Sequence, residues 1–93
     1  MFALVVRFTL LPNEIAAFDE LVRATVERIR LDEPDTLTYS VHQRPERPHE
    51  RVFYEVYTDR AAFEYHEAQP HTRKFLAQRP ALLAEEPEVW WLT

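Results

Sequence analysis

Apolar residues follow two periods along this chain, and the switches between them mark out its elements. Phe2 to Thr9 is rich in β-branched and aromatic residues, gives way to Leu11-Pro12, and reads as a first strand. Beyond Asn13, which suits a helix N-cap, Ile15, Phe18, Leu21, Val22, Thr25, Val26 and Ile29 recur at steps of three and four. Glu14, Asp19, Glu20, Arg23, Glu27 and Arg28 fill the other side. That spacing predicts an amphipathic helix of about four to five turns. The run Asp32-Glu33-Pro34-Asp35-Thr36 ends it, because proline cannot continue a helix and pushes its predecessor out of the α region. Thr36 to Arg44 is predicted as the second strand. A charged, proline-punctuated loop from Arg44 to Glu50 leads into the third, Arg51 to Thr58. Asp59 is expected to cap a helix carrying Ala62, Phe63 and His66 on one face as far as Gln69. Pro70 interrupts that helix, His71 to Gln78 adds further helical turns, and Pro87 to Thr93 closes the chain as a short strand.

The order βαββαβ predicts an α+β fold of the ferredoxin-like type, one domain over residues 1–93, with an antiparallel four-stranded sheet in the order 4-1-3-2. Helices cover one face of such a sheet. The other face of a monomer should be polar, yet both parities are apolar here. Phe2, Leu4, Val6 and Phe8 alternate with Ala3 and Val5, Phe53 and Tyr57 with Val52, Tyr54 and Val56, and Trp91 with Trp90 and Leu92. A bare apolar face of that size exceeds what soluble monomers expose, so a homodimer paired sheet to sheet is expected.

Composition narrows the function. Eleven Lys and Arg against sixteen Asp and Glu leave a net charge of −5, which argues against a partner coated in phosphate or an anionic membrane. There is no glycine beside seven prolines. Every motif that needs a residue without Cβ is therefore excluded, including the dinucleotide fingerprint and the phosphate-cradling loop. The lack of cysteine excludes a disulfide scaffold, a thiolate metal site and a cysteine nucleophile, and is compatible with a reducing cytosol. Met1 to Arg7 holds too short an apolar run for a signal segment, and no run approaches a membrane span, so a cytoplasmic location is expected.

The fold also hosts RNA binders, and Arg51 to Tyr57 superficially fits their third-strand pattern. The required glycines are missing, however, and Glu55 sits where a stacking aromatic belongs, so RNA binding is set aside. The run Phe53-Tyr54-Glu55-Val56-Tyr57-Thr58-Asp59-Arg60-Ala61-Ala62-Phe63-Glu64-Tyr65-His66, followed by Pro70-His71, with Glu33-Pro34 and Leu37-Thr38-Tyr39 upstream, resembles the antibiotic-biosynthesis monooxygenase family over nearly the whole chain. The resemblance implies a dimeric α+β barrel. It also implies chemistry drawn from cofactor-independent oxygenases of phenols, quinols and polyketide anthrones, from haem degradation, or from isomerisation of a phosphorylated signal sugar. The haem-degrading pattern wants a first-strand asparagine, a tryptophan where His66 stands and a later histidine where Phe75-Leu76 fall, so that branch is set aside. The family's Glu-Pro-Gly turn reads Glu33-Pro34-Asp35 here, which predicts a left-handed backbone at Asp35.

His66 shares a helix face with Ala62 and Phe63, so it should point at the sheet, where an imidazole can serve as base or acid near neutral pH. The bland alternative is a buried histidine satisfied by one carbonyl or carboxylate. Glu55 lies mid-strand among aromatics, so it should be held neutral by burial or meet a cation or His66. A cross-strand pair with Arg7 is its structural reading, and orienting or protonating His66 its functional one. Tyr39, Tyr54, Phe63 and His71 are candidate walls of a pocket for a small planar aromatic. His66 and His71 are five apart rather than four and have no neighbouring carboxylate cluster in sequence, so no bound metal is expected. The expected chemistry is deprotonation of a phenol or enol by His66, followed by direct reaction of the anion with O2. The resemblance implies electrons supplied by the substrate, with no flavin or other cofactor. An isomerase of a small hydroxy-ketone and a non-catalytic ligand-binding or stress-related dimer are the alternatives.

Overall fold

A computed structural model describes residues 1–92. Strands β1 (Phe2–Thr9), β2 (Thr36–His42), β3 (Glu50–Tyr57) and β4 (Glu88–Leu92) form one antiparallel sheet in the order β2-β3-β1-β4, the order expected from the sequence. Helices α1 (Ile15–Asp32), α2 (Arg60–Ala68) and α3 (Pro70–Gln78) connect them, and a 3₁₀ turn (Arg79–Leu82) follows α3.

Period-two alternation makes the two sheet faces, and the register fixes which residues share them. On the helix side, Phe8, Phe18, Phe53 and Phe75 pack ring against ring at centroid separations of 4.8–6.1 Å, with Phe8, Phe18 and Phe53 at most 1% exposed. Helix α1 buries Phe18, Val22, Thr25 and Ile29, four of the seven positions its three- and four-residue spacing picked out, and Phe18 and Val22 join this core. Arg51 locks α1 to β3 with two hydrogen bonds of 3.0 Å to the Asp19 carboxylate. Also on this side, the aligned residues Tyr39, Glu55, Leu4 and Trp91 form a row across all four strands.

The opposite face has no helix over it. Its central row is Ser40, Tyr54, Val5 and Trp90, beside Val56, Ala3 and Leu92. Tyr54, Trp90 and Leu92 are all exposed there.

Three local expectations are corrected. Glu14, not Asn13, occupies the N-cap of α1, and its side chain makes no capping bond. Asp59 does cap α2, accepting from the Ala62 amide at 2.9 Å. No non-glycine residue among those described has positive φ, so Asp35 is not left-handed. The turn instead closes through Thr36 N–H to the Glu33 carbonyl and Thr58 N–H to the Asp35 carbonyl, a path open to any side chain. Finally, Arg7 lies opposite Val52, and Glu55 opposite Leu4, so the two side chains emerge on opposite faces. Arg7 binds Glu88 and Glu50 instead.

Candidate active site

The C-terminal end of α1 delivers Glu33 into the interior, its side chain 1% exposed. Three groups gather around it. Thr36 Oγ1 donates to Oε1 at 2.7 Å, His66 Nδ1 lies 2.9 and 3.1 Å from the two oxygens, and His71 Nε2 binds Oε2. Burial alone would raise the Glu33 carboxyl, but the bonds from His66, Thr36 and His71 outweigh it and hold the group below its ordinary value. An ionised carboxylate only accepts, so both histidines donate to it. His66 therefore carries its proton on Nδ1, with Thr72 Oγ1 3.3 Å from the same nitrogen, and Nε2 is the basic nitrogen. Nε2 makes no hydrogen bond among the described residues.

Two histidines five positions apart would point roughly 140° apart on a continuous helix. They meet because Gln69, at φ −70° and ψ 145°, breaks the rod between α2 and α3 before Pro70 starts the second helix. The spacing of five, which in sequence suggested separate positions, therefore does not keep them apart. Glu33, His66 and His71 place one ligand atom each within 4.8 Å of one another, and this trio is the group that could hold a metal ion among the described residues. Their mutual hydrogen bonds satisfy the same atoms.

His66 sits between Tyr39 and Tyr57, with ring centroids 5.5 and 5.4 Å away. Beside it lies a cavity of about 180 Å³ whose floor is the row Tyr39, Glu55, Leu4 and Trp91 and whose far wall includes Phe75 and Arg79. Glu55 is 5% exposed. Burial pushes its carboxyl up, and the opposing hydrogen bond from Tyr57 Oη, 2.6 Å from Oε1, and the nearby His66 only partly offset that. Burial and then the Glu55 charge push both the Tyr39 and the Tyr57 phenols up, so neither ionises near neutrality. A larger, open groove of about 870 Å³ runs between α1 and β2, but of the candidate residues only Tyr39 borders it.

Of the residues singled out from sequence, His66, Glu55 and Tyr39 converge on the cavity. Tyr54 does not, because it stands on the uncovered face, 41% exposed. Phe63 packs on Tyr57 and Trp91 behind His66, at 5.3 and 5.7 Å, rather than lining the cavity. His71 reaches the site only through Glu33. Glu55 bonds to Tyr57, neither to Arg7 nor to His66, and the partner that orients His66 is Glu33. Glu33 and Arg79 were missed: the first was read only as part of the turn that ends α1, and the second was not singled out.

A family model described as antibiotic biosynthesis monooxygenase matches residues 1–78. The chain belongs to that family. Among solved structures, a crystal structure of an antibiotic biosynthesis monooxygenase is 27% identical, covers 100% of this chain and 97% of its own, and superposes with a TM-score of 0.92. Rv0793 from Mycobacterium tuberculosis is 27% identical over 99% of this chain and 92% of its own, TM-score 0.91. PA3566 from Pseudomonas aeruginosa is 28% identical over 98% and 90%, TM-score 0.87. The protein sll1783 of Synechocystis sp. (strain ATCC 27184 / PCC 6803 / Kazusa) is 31% identical over 78 residues, 84% of this chain and 52% of that protein. The chain thus spans about half the length of that curated relative. Membership supports monooxygenase as a description at the level of the family. No helix among the described residues is long and apolar enough to cross a membrane.

Proposed function

We propose that this chain is a cofactor-independent monooxygenase, a cytoplasmic homodimer paired through its uncovered sheet face, that oxidises a small phenolic aromatic with O2. The observation that carries this reading is the Glu33-held imidazole of His66, with Nε2 unbonded beside an aromatic-floored cavity. A base oriented by a third group is the arrangement general-base catalysis requires. Nε2 takes the phenolic proton. The ring carbon para to the oxygen then forms a C–O bond to O2, and the proton at Nε2 passes to the peroxide. As Nε2 removes the proton from that same carbon, the O–O bond breaks and hydroxide leaves, to be protonated to water. Phenol and O2 become quinone and water, with all four electrons coming from the substrate. Glu55, kept protonated more readily by burial, is the second proton-transfer group. Glu33 is a positioning residue.

Oxygen uptake by purified protein, with a chelator present, across a panel of phenols and hydroquinones tests the reading. His66→Ala should cut uptake by roughly 10²-fold or more at unchanged fold. Uptake abolished by the chelator, or absent with every substrate, overturns it. Proton exchange into a hydroxy-ketone without oxygen consumption identifies an isomerase instead.

A further inference from the structure

Of the eleven basic residues, Arg7, Arg23, Arg28, Arg44 and Arg51 are engaged with carboxylates. Arg30, Arg47, Arg60, Arg73 and Lys74 are exposed, where water serves them. Arg79 is neither. It is half-buried in the 3₁₀ turn after α3, and makes no hydrogen bond or ion pair with the described residues. Its guanidinium is seated 5.2 Å from the Phe8 ring centroid and 5.5 Å from that of Phe75, a cation–π seat that fixes the group and leaves its N–H donors unused. Burial pulls its pKa down despite the nearby Glu67 and Glu55 carboxyl groups, so the interior bears a cost that a bound anion would relieve.

We propose that Arg79 is the anion-binding group of this cavity and that the ligand is a single-ring aromatic carboxylate, bound as the carboxylate on the guanidinium with its ring toward His66 and Trp91. The inference rests on the reading of this cavity as the reaction site and adds the substrate class. Three observations carry it beyond a lone cation. Arg79 is the only arginine or lysine among the described residues bordering the cavity, which suits a monoanion. Glu55 and Glu67 also border it and disfavour a dianion such as a phosphate ester. The volume of about 180 Å³ is close to the ~150 Å³ that accepts benzene and well below the roughly 300–1,000 Å³ of pockets for larger ligands. The space matches a single ring more closely than a tricyclic polyketide. A planar guanidinium also matches a carboxylate with two parallel hydrogen bonds, which an ammonium cannot do.

Trp91 borders the cavity and supplies the readout. The full chain is titrated with benzoate, benzamide and phenyl phosphate, following tryptophan fluorescence and checking each by calorimetry. Benzoate should bind at least tenfold more tightly than benzamide. Arg79→Gln should weaken benzoate tenfold or more and leave benzamide unchanged, while Arg79→Lys, which keeps charge but loses the fork, should fall between. Circular dichroism and a thermal melt confirm that each variant is folded, and if Arg79→Gln fails to fold, the comparison of ligands on the parent chain and Arg79→Lys decides. Equal binding of benzoate and benzamide, preference for phenyl phosphate, or no binding of any probe overturns the proposal. Benzoate binding without oxygen uptake on any hydroxybenzoate leaves the binding class standing and removes the monooxygenase reading. Uptake on neutral phenols without benzoate binding does the reverse.

Discussion

Replacing Glu33 by glutamine takes one negative charge out of the interior while keeping the shape of the side chain. The carboxylate accepts from His66 Nδ1, Thr36 Oγ1 and His71 Nε2. An amide keeps one acceptor oxygen and turns an N–H₂ toward a ring N–H. Hydrogen bonds to a charged group contribute about 1.5–3 kcal/mol each, and some of that loss is offset because no charge need then be buried, so the net destabilisation is on the order of 2–4 kcal/mol at pH 7. For a domain of this size that is a fall in Tm on the order of 10–25 °C. The pH dependence is the sharper readout. The folded Glu33 carboxyl lies below its ordinary value, so its stabilisation is complete above the unfolded-state pKa near ~4.3 and is lost as pH falls through the folded one. Urea melts followed by circular dichroism should therefore show a gap between parent and Glu33→Gln that is widest at pH 7 and closes below about pH 4. A gap under ~0.5 kcal/mol at pH 7, or one that stays constant down to about pH 3, refutes the reasoning. Its positioning role is separated from its structural one by kinetics at a temperature where the variant is fully folded. There kcat should fall with KM little changed, and Glu33→Asp should restore part of it.

Glu55→Gln should behave oppositely. Burial raises the folded Glu55 carboxyl, so the parent loses stability as pH climbs from the unfolded value through the folded one. Glutamine, which can still accept from Tyr57 Oη, should match or exceed the parent in urea melts at pH 8, with the advantage vanishing near about pH 4, while oxygen uptake falls. A variant destabilised more at pH 8 than at pH 4 contradicts this. Trp90→Lys on the uncovered face should shift sedimentation toward monomer at a protein concentration where the parent is dimeric; a parent that sediments as a folded monomer removes the pairing itself.

Elements with a strong internal period were legible in the sequence. The stripe Phe18, Val22, Thr25 and Ile29 announced α1, and the doubly apolar strands announced a sheet with one face left bare. His66 could be aimed at the sheet because it shares a face with Ala62, and both are buried. What failed needed register or long-range contact. Strand adjacency alone made Arg7 and Glu55 look like partners, yet Glu55 shares parity with Phe53 and Tyr57, and Arg7 lies between Val6 and Phe8, so alternation already put them on opposite faces. Glu33 could not be found that way, because the contacts that give it a role lie 33 and 38 residues along the chain and depend on a helix break whose geometry no periodicity encodes. Arg79 carried no signal either, since its rings at Phe8 and Phe75 come together only in the packed core.

Because no described residue needs φ > 0, and the sequence has seven prolines and no glycine, the denatured chain samples a narrower set of backbone conformations than most sequences of its length. Wherever glycine would otherwise stand in ordinary backbone, the entropy surrendered on folding is smaller by roughly 0.4–1 kcal/mol. The molecule thus folds from an ensemble already restricted. That margin, set in the disordered state rather than by any contact, helps so small a core accommodate one buried carboxylate ringed by imidazoles.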